Sequence, residues 1–215
     1  MNRISWRAGA GAFSLFVAGA MGASPPASAQ AARTVLGVVG GVVDNEQRWS
    51  RPSETGRVKG ALIGGFVVAP TRAGWLSIRL EGLYTQRGGD LLVNEGDEEL
   101  RGAVRADYLT ISVHPRVSIP LGPVGLHVAA GPTFDQLMRS RLDPGLAQVL
   151  VDGSPTVFGV GAGIGVGGFI RDRVYAEVEA RVFDGLGDAY SGAFISFRNR
   201  SMEVVGRLGV PWSRN

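Results

Sequence analysis

The 215-residue chain has no cysteine and only two histidines, His114 and His127. No disulfide can staple the fold, and thiol chemistry and Cys/His zinc sites are excluded. Charged residues make up 19% of the chain, and the mean hydropathy is only +0.12. No segment after the first 31 residues reaches the roughly 18 consecutive apolar residues of a spanning helix. Helical periodicity is also scarce, and LDPGLAQVLVDG (142–153) holds at most one short helical turn. What the chain has instead is 33 glycines and long runs that alternate.

The N-terminus reads as an export signal. MNRISWR carries two arginines, AGAGAFSLFVAGAMGA is free of charge, and SPPASAQA offers small residues before a cut after Ala29 or Ala31. These are the n-, h- and c-regions of a secretory signal peptide. The division expected is a cleaved signal at 1–31 and one domain at 32–215. Removing Arg3 and Arg7 from the 22 basic residues leaves 20 against 19 acidic ones. A mature charge of about +1 gives no support to a nucleic-acid partner.

VYAEVEARVF (174–183) sets Val174, Ala176, Val178, Ala180 and Val182 on one side and Tyr175, Glu177, Glu179 and Arg181 on the other. Period two is a β-strand. Eight such runs cover 34–43, 57–69, 74–87, 104–119, 124–138, 156–170, 174–186 and 197–212. Several exceed the usual strand length and match a tilted membrane crossing. PTRA, PLGP and RDR join runs two to three, four to five and six to seven. The remaining connections, 44–56, 88–103, 139–155 and 187–196, are long. Tight turns alternating with long loops predict an all-β fold. It is an eight-stranded antiparallel up-and-down transmembrane β-barrel, with short periplasmic turns and long extracellular loops.

Parity then predicts which side is which. Leu76, Ile78, Leu80 and Tyr84 oppose Ser77, Arg79, Glu81 and Thr85. Leu109, Ile111 and Val113 oppose Thr110, Ser112 and His114. Met202, Val204 and Leu208 oppose Glu203 and Arg207. With the polar set inside, Arg79, Arg116, Arg181 and Arg207 meet Glu81, Glu177, Glu179 and Glu203. His114 and His127 complete an interior polar network. The glycines at 159, 161, 163, 165 and 167 make room for the long side chains. Tyr84, Phe134 and Phe158 are expected in an outer aromatic belt at the loop end, with Phe66 and Trp212 at the turn end. Pro115 is expected to mark a bulge or local break. The opposite parity would describe a soluble, lipocalin-like ligand-binding barrel.

Four segments resemble the bacterial outer-membrane β-barrel family that includes the PorT-like proteins. EGLYTQRG (81–88) resembles a strand end of that family. DYLTISVHPR (107–116) resembles its Tyr-Leu-x-Ile-Pro strand, GPTF (131–134) its Gly-Pro-aromatic segment, and EARVFDGLGD (179–188) its Arg-Tyr-x-x-Gly-Leu segment. There are departures: Ser112 stands where the family has proline, Val182 where it has tyrosine, and three residues follow Trp212. The resemblance implies an OmpX- or OmpA-like eight-stranded barrel in the outer membrane. Its partners would be outer-membrane lipid, lipopolysaccharide and the barrel-assembly machinery, which reads the last strand.

No enzyme, cofactor or metal is expected. His114 and His127 lie on adjacent strands near Ser112 and Ser118, which is the minimum for a Ser–His pair. They lie toward the turn end, however, away from outer-leaflet lipid A. Glu177 and Glu179 share a face but are matched by arginines. NEGDEEL (94–100) lacks calcium-loop spacing; its alternative reading is divalent ions bridging lipopolysaccharide. GVGAGIGVGG lies within a strand, so its glycine spacing is no dinucleotide site. The function expected is a plugged, non-enzymatic barrel with a structural, adhesive or interaction role carried by its loops. Arg48, Trp49, Arg51, Leu91, Leu92 and Val93 are the candidate contacts for an envelope or surface protein. A lipid-modifying enzyme and a small pore are the alternatives.

Overall fold

The computed structural model describes residues 33–50, 54–95, 98–144, 152–191 and 196–212. The signal segment, Arg51 and most of the 142–153 stretch lie outside them. Eight long strands are present: β1 (Thr34–Trp49), β3 (Val58–Pro70), β4 (Leu76–Glu95), β5 (Glu98–Leu121), β6 (Val124–Leu142), β8 (Thr156–Ile170), β9 (Val174–Gly185) and β11 (Ser196–Trp212). Three short ones, β2 (Glu54–Gly56), β7 (Asp152–Gly153) and β10 (Tyr190–Ser191), pair near the loop end. The long strands form the ring β1-β3-β4-β5-β6-β8-β9-β11, and β11 pairs back onto β1 from Thr34↔Trp212 to Trp49↔Phe197. The barrel is closed, antiparallel and up-and-down, so it has no free edge along its ring.

The tight turns place left-handed residues between the strands. Gly122 has φ 68° at the first position between β5 and β6, with Pro123 after it. Between β8 and β9, Arg171 (φ 51°) and Asp172 (φ 56°) are both left-handed, and Arg173 N–H donates to Ile170 O at 3.2 Å. That is a type I′ turn, whose twist matches a hairpin.

Alternation holds around the ring. Val178 is 57% exposed while Glu179 beside it is 1% exposed. Leu80, Ile111, Val160, Val204 and Leu208 all face outward, and Arg79, Glu81, Ser112, His114 and Arg207 are buried. Phe134 and Phe158 meet on the outside with ring centroids 5.1 Å apart, and Trp212 is exposed. Phe66 departs from the expected belt. It points inward, 2% exposed, because Gly64 and Gly65 hide the parity of β3.

One further expectation changes, and the one on Pro115 resolves into one of its two forms. Pairing of β4 with β5 runs on to Glu95↔Glu98, so Leu91, Leu92 and Val93 belong to a strand extension. Their side chains lie outside the described residues. Pro115 marks the local break and not the bulge: it pairs with Ile78, but pairing with β6 lapses between Ser112↔Thr133 and Arg116↔Ala129, with the register unchanged. Pro132 lies in the same gap, so two backbone donors are missing there. The register shift is instead at Asp107/Tyr108.

Candidate functional site

The inner wall is the site that the strands build. Its charged face comes from β4, β5, β6, β9 and β11. Odd-numbered residues of β9 and β11 face each other, so Glu177 pairs with Arg207 and Arg181 with Glu203 in register. Arg207 Nη1 donates to Glu177 at 2.7 Å and Arg181 Nε to Glu203 at 2.5 Å. Such directly opposed unlike charges are the favourable cross-strand arrangement.

Other contacts cross the lumen. Arg79 on β4 lies 2.6 Å from one Glu179 oxygen and 2.9 Å from the other, a bidentate fork. It also donates to Glu177 at 3.2 Å. Glu81 accepts from Arg207 Nε at 2.7 Å, from Arg181 at 2.5 Å and from Ser112 at 3.3 Å. Toward the turn end, Arg116 reaches Glu177 at 3.0 Å and Tyr175 Oη at 2.8 Å, and Tyr175 in turn donates to Glu177. All ten residues singled out in the sequence lie on this inner wall, and each is at most 8% exposed.

The structure adds a fifth charge pair. Arg87 donates to Asp135 at 2.9 Å and to Glu203 at 3.3 Å, and its guanidinium lies 3.8 Å over the Phe183 ring. Asp135 also accepts from Thr110 at 2.6 Å. Both share the inward parity of their strands, which was the available signal. The charged interior is thus Arg79, Arg87, Arg116, Arg181 and Arg207 against Glu81, Glu177, Glu179, Glu203 and Asp135.

The rest of the inner wall is apolar. Val35, Val39, Val43, Leu62, Phe66, Leu83, Tyr175 and Val205 form one buried cluster. A second cluster at the loop end joins Val104, Val157, Ala189, Tyr190 and Phe197, with Trp49 packed 4.5 Å from Phe197. The glycines of β8 permit the packing between these layers. A Cβ on Gly163 would stand 2.7 Å from Arg181 Cβ, and one on Gly165 would stand 2.7 Å from the His127 ring.

The histidines are bound into this network. His114 Nδ1 lies 3.3 Å from Arg79, and His127 Nδ1 lies 3.1 Å from Arg116. His127 Nε2 meets Glu179 at 3.0 Å. Ser112 donates to Glu81, and no serine–histidine hydrogen bond occurs among the described residues. His114 Nε2 has no partner and borders a cavity of about 10 Å³ beside Thr110, Thr133 and Arg87. That is the smallest space able to hold one water.

His127, Glu177 and Glu179 bring three potential ligand atoms within 4.8 Å of one another. Their chemistry does not suit a dication. Arg79, Arg116 and Arg207 already occupy the carboxylate oxygens and set three positive charges beside the position. The loop-end features are likewise engaged: Arg48 lies 3.8 Å from Asp184, and Trp49 is half-buried in the apolar cap.

No protein-family model matches the chain, and no curated protein matches it in sequence. Solved structures do. The outer membrane protein OprG from Pseudomonas aeruginosa aligns at TM-score 0.57 and 10% identity, covering 83% of this chain and 93% of that one. Neisserial surface protein A aligns at 0.47 and 12% identity, covering 82% and 97%. Ail of Yersinia pestis, solved with the heparin analogue sucrose octasulfate, aligns at 0.39 and 9% identity, covering 81% and 99%. The OprG likeness shows a shared fold, the eight-stranded barrel of an outer-membrane protein.

Proposed function

We propose that the chain is an integral outer-membrane protein whose barrel is plugged and non-enzymatic, and whose specific role is an interaction made at its loop end. One observation carries this reading: the polarity is inverted. Charged side chains fill the inside, while Val38, Val178, Leu208 and Val210 line an exposed apolar exterior. Water would not favour such an exterior, whereas hydrocarbon does. A closed barrel also satisfies its backbone without water.

The finer parts of the reading rest on sequence. EGLYTQRG and EARVFDGLGD support kinship with the PorT-like branch, and residues 1–31 read as the cleaved export signal. Lipid, lipopolysaccharide and the barrel-assembly machinery are the partners this implies, with an envelope or surface protein at the loops. The interior network has a filling and fixing role: its groups neutralise one another and leave little space for a solute.

Cell fractionation tests the proposal. The chain is expected in the outer-membrane fraction, resistant to alkaline extraction, with a heat-modifiable mobility on gels. Recovery as a soluble periplasmic protein would overturn it.

A further inference from the structure

The two ends of the barrel differ in charge. At the tight-turn end lie Arg33, Arg72, Arg171 and Arg173, all exposed, with Asp172 the one acid among them. Among the described residues none of the four has an ion-pair partner. Arg33 donates instead to the backbone oxygen of Asp172 at 3.4 Å. Toward the other end exposed arginines stand among acids, and three are paired at 3.0 Å: Arg57 with Asp44, Arg105 with Asp90 and Arg198 with Asp188, while Arg139 and Arg141 are exposed without an ion pair among the described residues.

Two more features sit at the tight-turn end. Trp75 and Trp212 are 43% and 55% exposed there, next to outward Leu121, Val124 and Ile170. The rim therefore combines outward aliphatic, indole and guanidinium groups at one end of the barrel, the mixture that suits a membrane–water interface. Arg171 also holds a left-handed φ of 51°, where glycine or asparagine would cost less. The turn thus keeps an arginine against its backbone preference.

We infer that this rim is a docking surface for the anionic headgroups of the inner leaflet, with the four arginines binding phospholipid phosphates below a tryptophan belt. The inference rests on the outer-membrane reading above. Guanidinium groups recognise phosphate by paired N–H donors, and Arg33 lies close enough to the β8–β9 turn for both to serve one headgroup. Each cation near an anionic surface strengthens the attraction to it about fivefold.

Tryptophan quenching tests this. The mature chain (32–215), carrying Trp49→Phe so that Trp75 and Trp212 report, is refolded into phosphatidylcholine vesicles. These contain either phosphatidylglycerol or further phosphatidylcholine brominated near the headgroup, at equal mole fraction. We expect the brominated phosphatidylglycerol to quench severalfold more strongly. That excess should shrink toward unity in Arg72→Gln/Arg173→Gln, which leaves the type I′ turn intact, and further when Arg33→Gln and Arg171→Gln are added. Insertion with equal quenching by both lipids would overturn this inference alone. Failure to insert in either vesicle would overturn the membrane reading and this one with it. Equal quenching together with retention on peptidoglycan would assign the rim to a different occupant and also overturn it.

Discussion

Glu81 accepts a hydrogen bond from Arg207 Nε at 2.7 Å, although the two residues are 126 positions apart in the chain. They stand on different strands and meet only because the sheet closes. Glu81 also takes Arg181 and Ser112, so it ties β4 to β9, β11 and β5. Removing one partner of a buried ion pair leaves an uncompensated charge, typically a loss of about 3–5 kcal/mol. Glu81→Ala and Arg207→Ala should each lower the denaturant midpoint of the vesicle-folded barrel accordingly. Midpoints equal to the parent would show that the network adds nothing to stability.

The glycines of β8 give a second expectation. Gly163 faces inward, where a Cβ meets Arg181 and Glu179 within 3.0 Å. Gly163→Val should therefore overpack the interior by about 1–3 kcal/mol. Gly82 faces outward, with nothing within 4 Å of a Cβ. Gly82→Ala should be neutral or stabilising by about 0.5–1 kcal/mol, since alanine loses less backbone freedom. Paired unfolding curves in the same lipid check both, and the opposite order would contradict the packing argument.

Most of the barrel was legible because alternation is strong wherever one face is apolar. That held for β9, where Val178 and Glu179 differ so sharply, and for β4 and β11. It failed in two physical circumstances. In β3, Gly64 and Gly65 blur the period, so Phe66 was expected outside and lies within. Beyond the apolar band the alternation of apolar and polar residues is lost, as in 44–49, 88–95 and 139–142, and extended strand reads as loop. Arg87 and Asp135 were within reach, since continuing the inward parity of 79, 81, 85 and of 127, 133 arrives at them. The contacts across the lumen were not: which arginine meets which glutamate depends on closure and register, and no local pattern carries that.

Outward parity makes a third expectation. Val178 and Val204 lie mid-strand on the apolar exterior. Arginine on the lipid face near the bilayer midplane costs roughly 2–4 kcal/mol. Val178→Arg and Val204→Arg should lose that much stability in lipid and fold with lower yield. Variants that fold in vesicles as well as the parent would mean that this face does not meet hydrocarbon.

The last expectation concerns transport and catalysis together, because both require open space in the interior. Arg79, Arg181 and Arg207 bridge the lumen to Glu81, Glu177 and Glu179, and Phe197, Tyr190 and Trp49 pack over its loop end. The cavity beside His114 is about 10 Å³ and admits no more than a water. Steady ion conduction needs a continuous wet path, and a Ser–His hydrolase needs a nucleophile within hydrogen-bond reach of its base. No serine–histidine hydrogen bond occurs among the described residues, and the proposed plug would close the wet path. In planar bilayers the parent should show no steady conductance. Lipid A from cells with the protein should match that from cells without it, and His114→Ala and His127→Ala should leave the match unchanged. Steady single-channel currents would refute the plug. A change in lipid A acylation that vanishes with either histidine would place chemistry where the contacts show only a packed network.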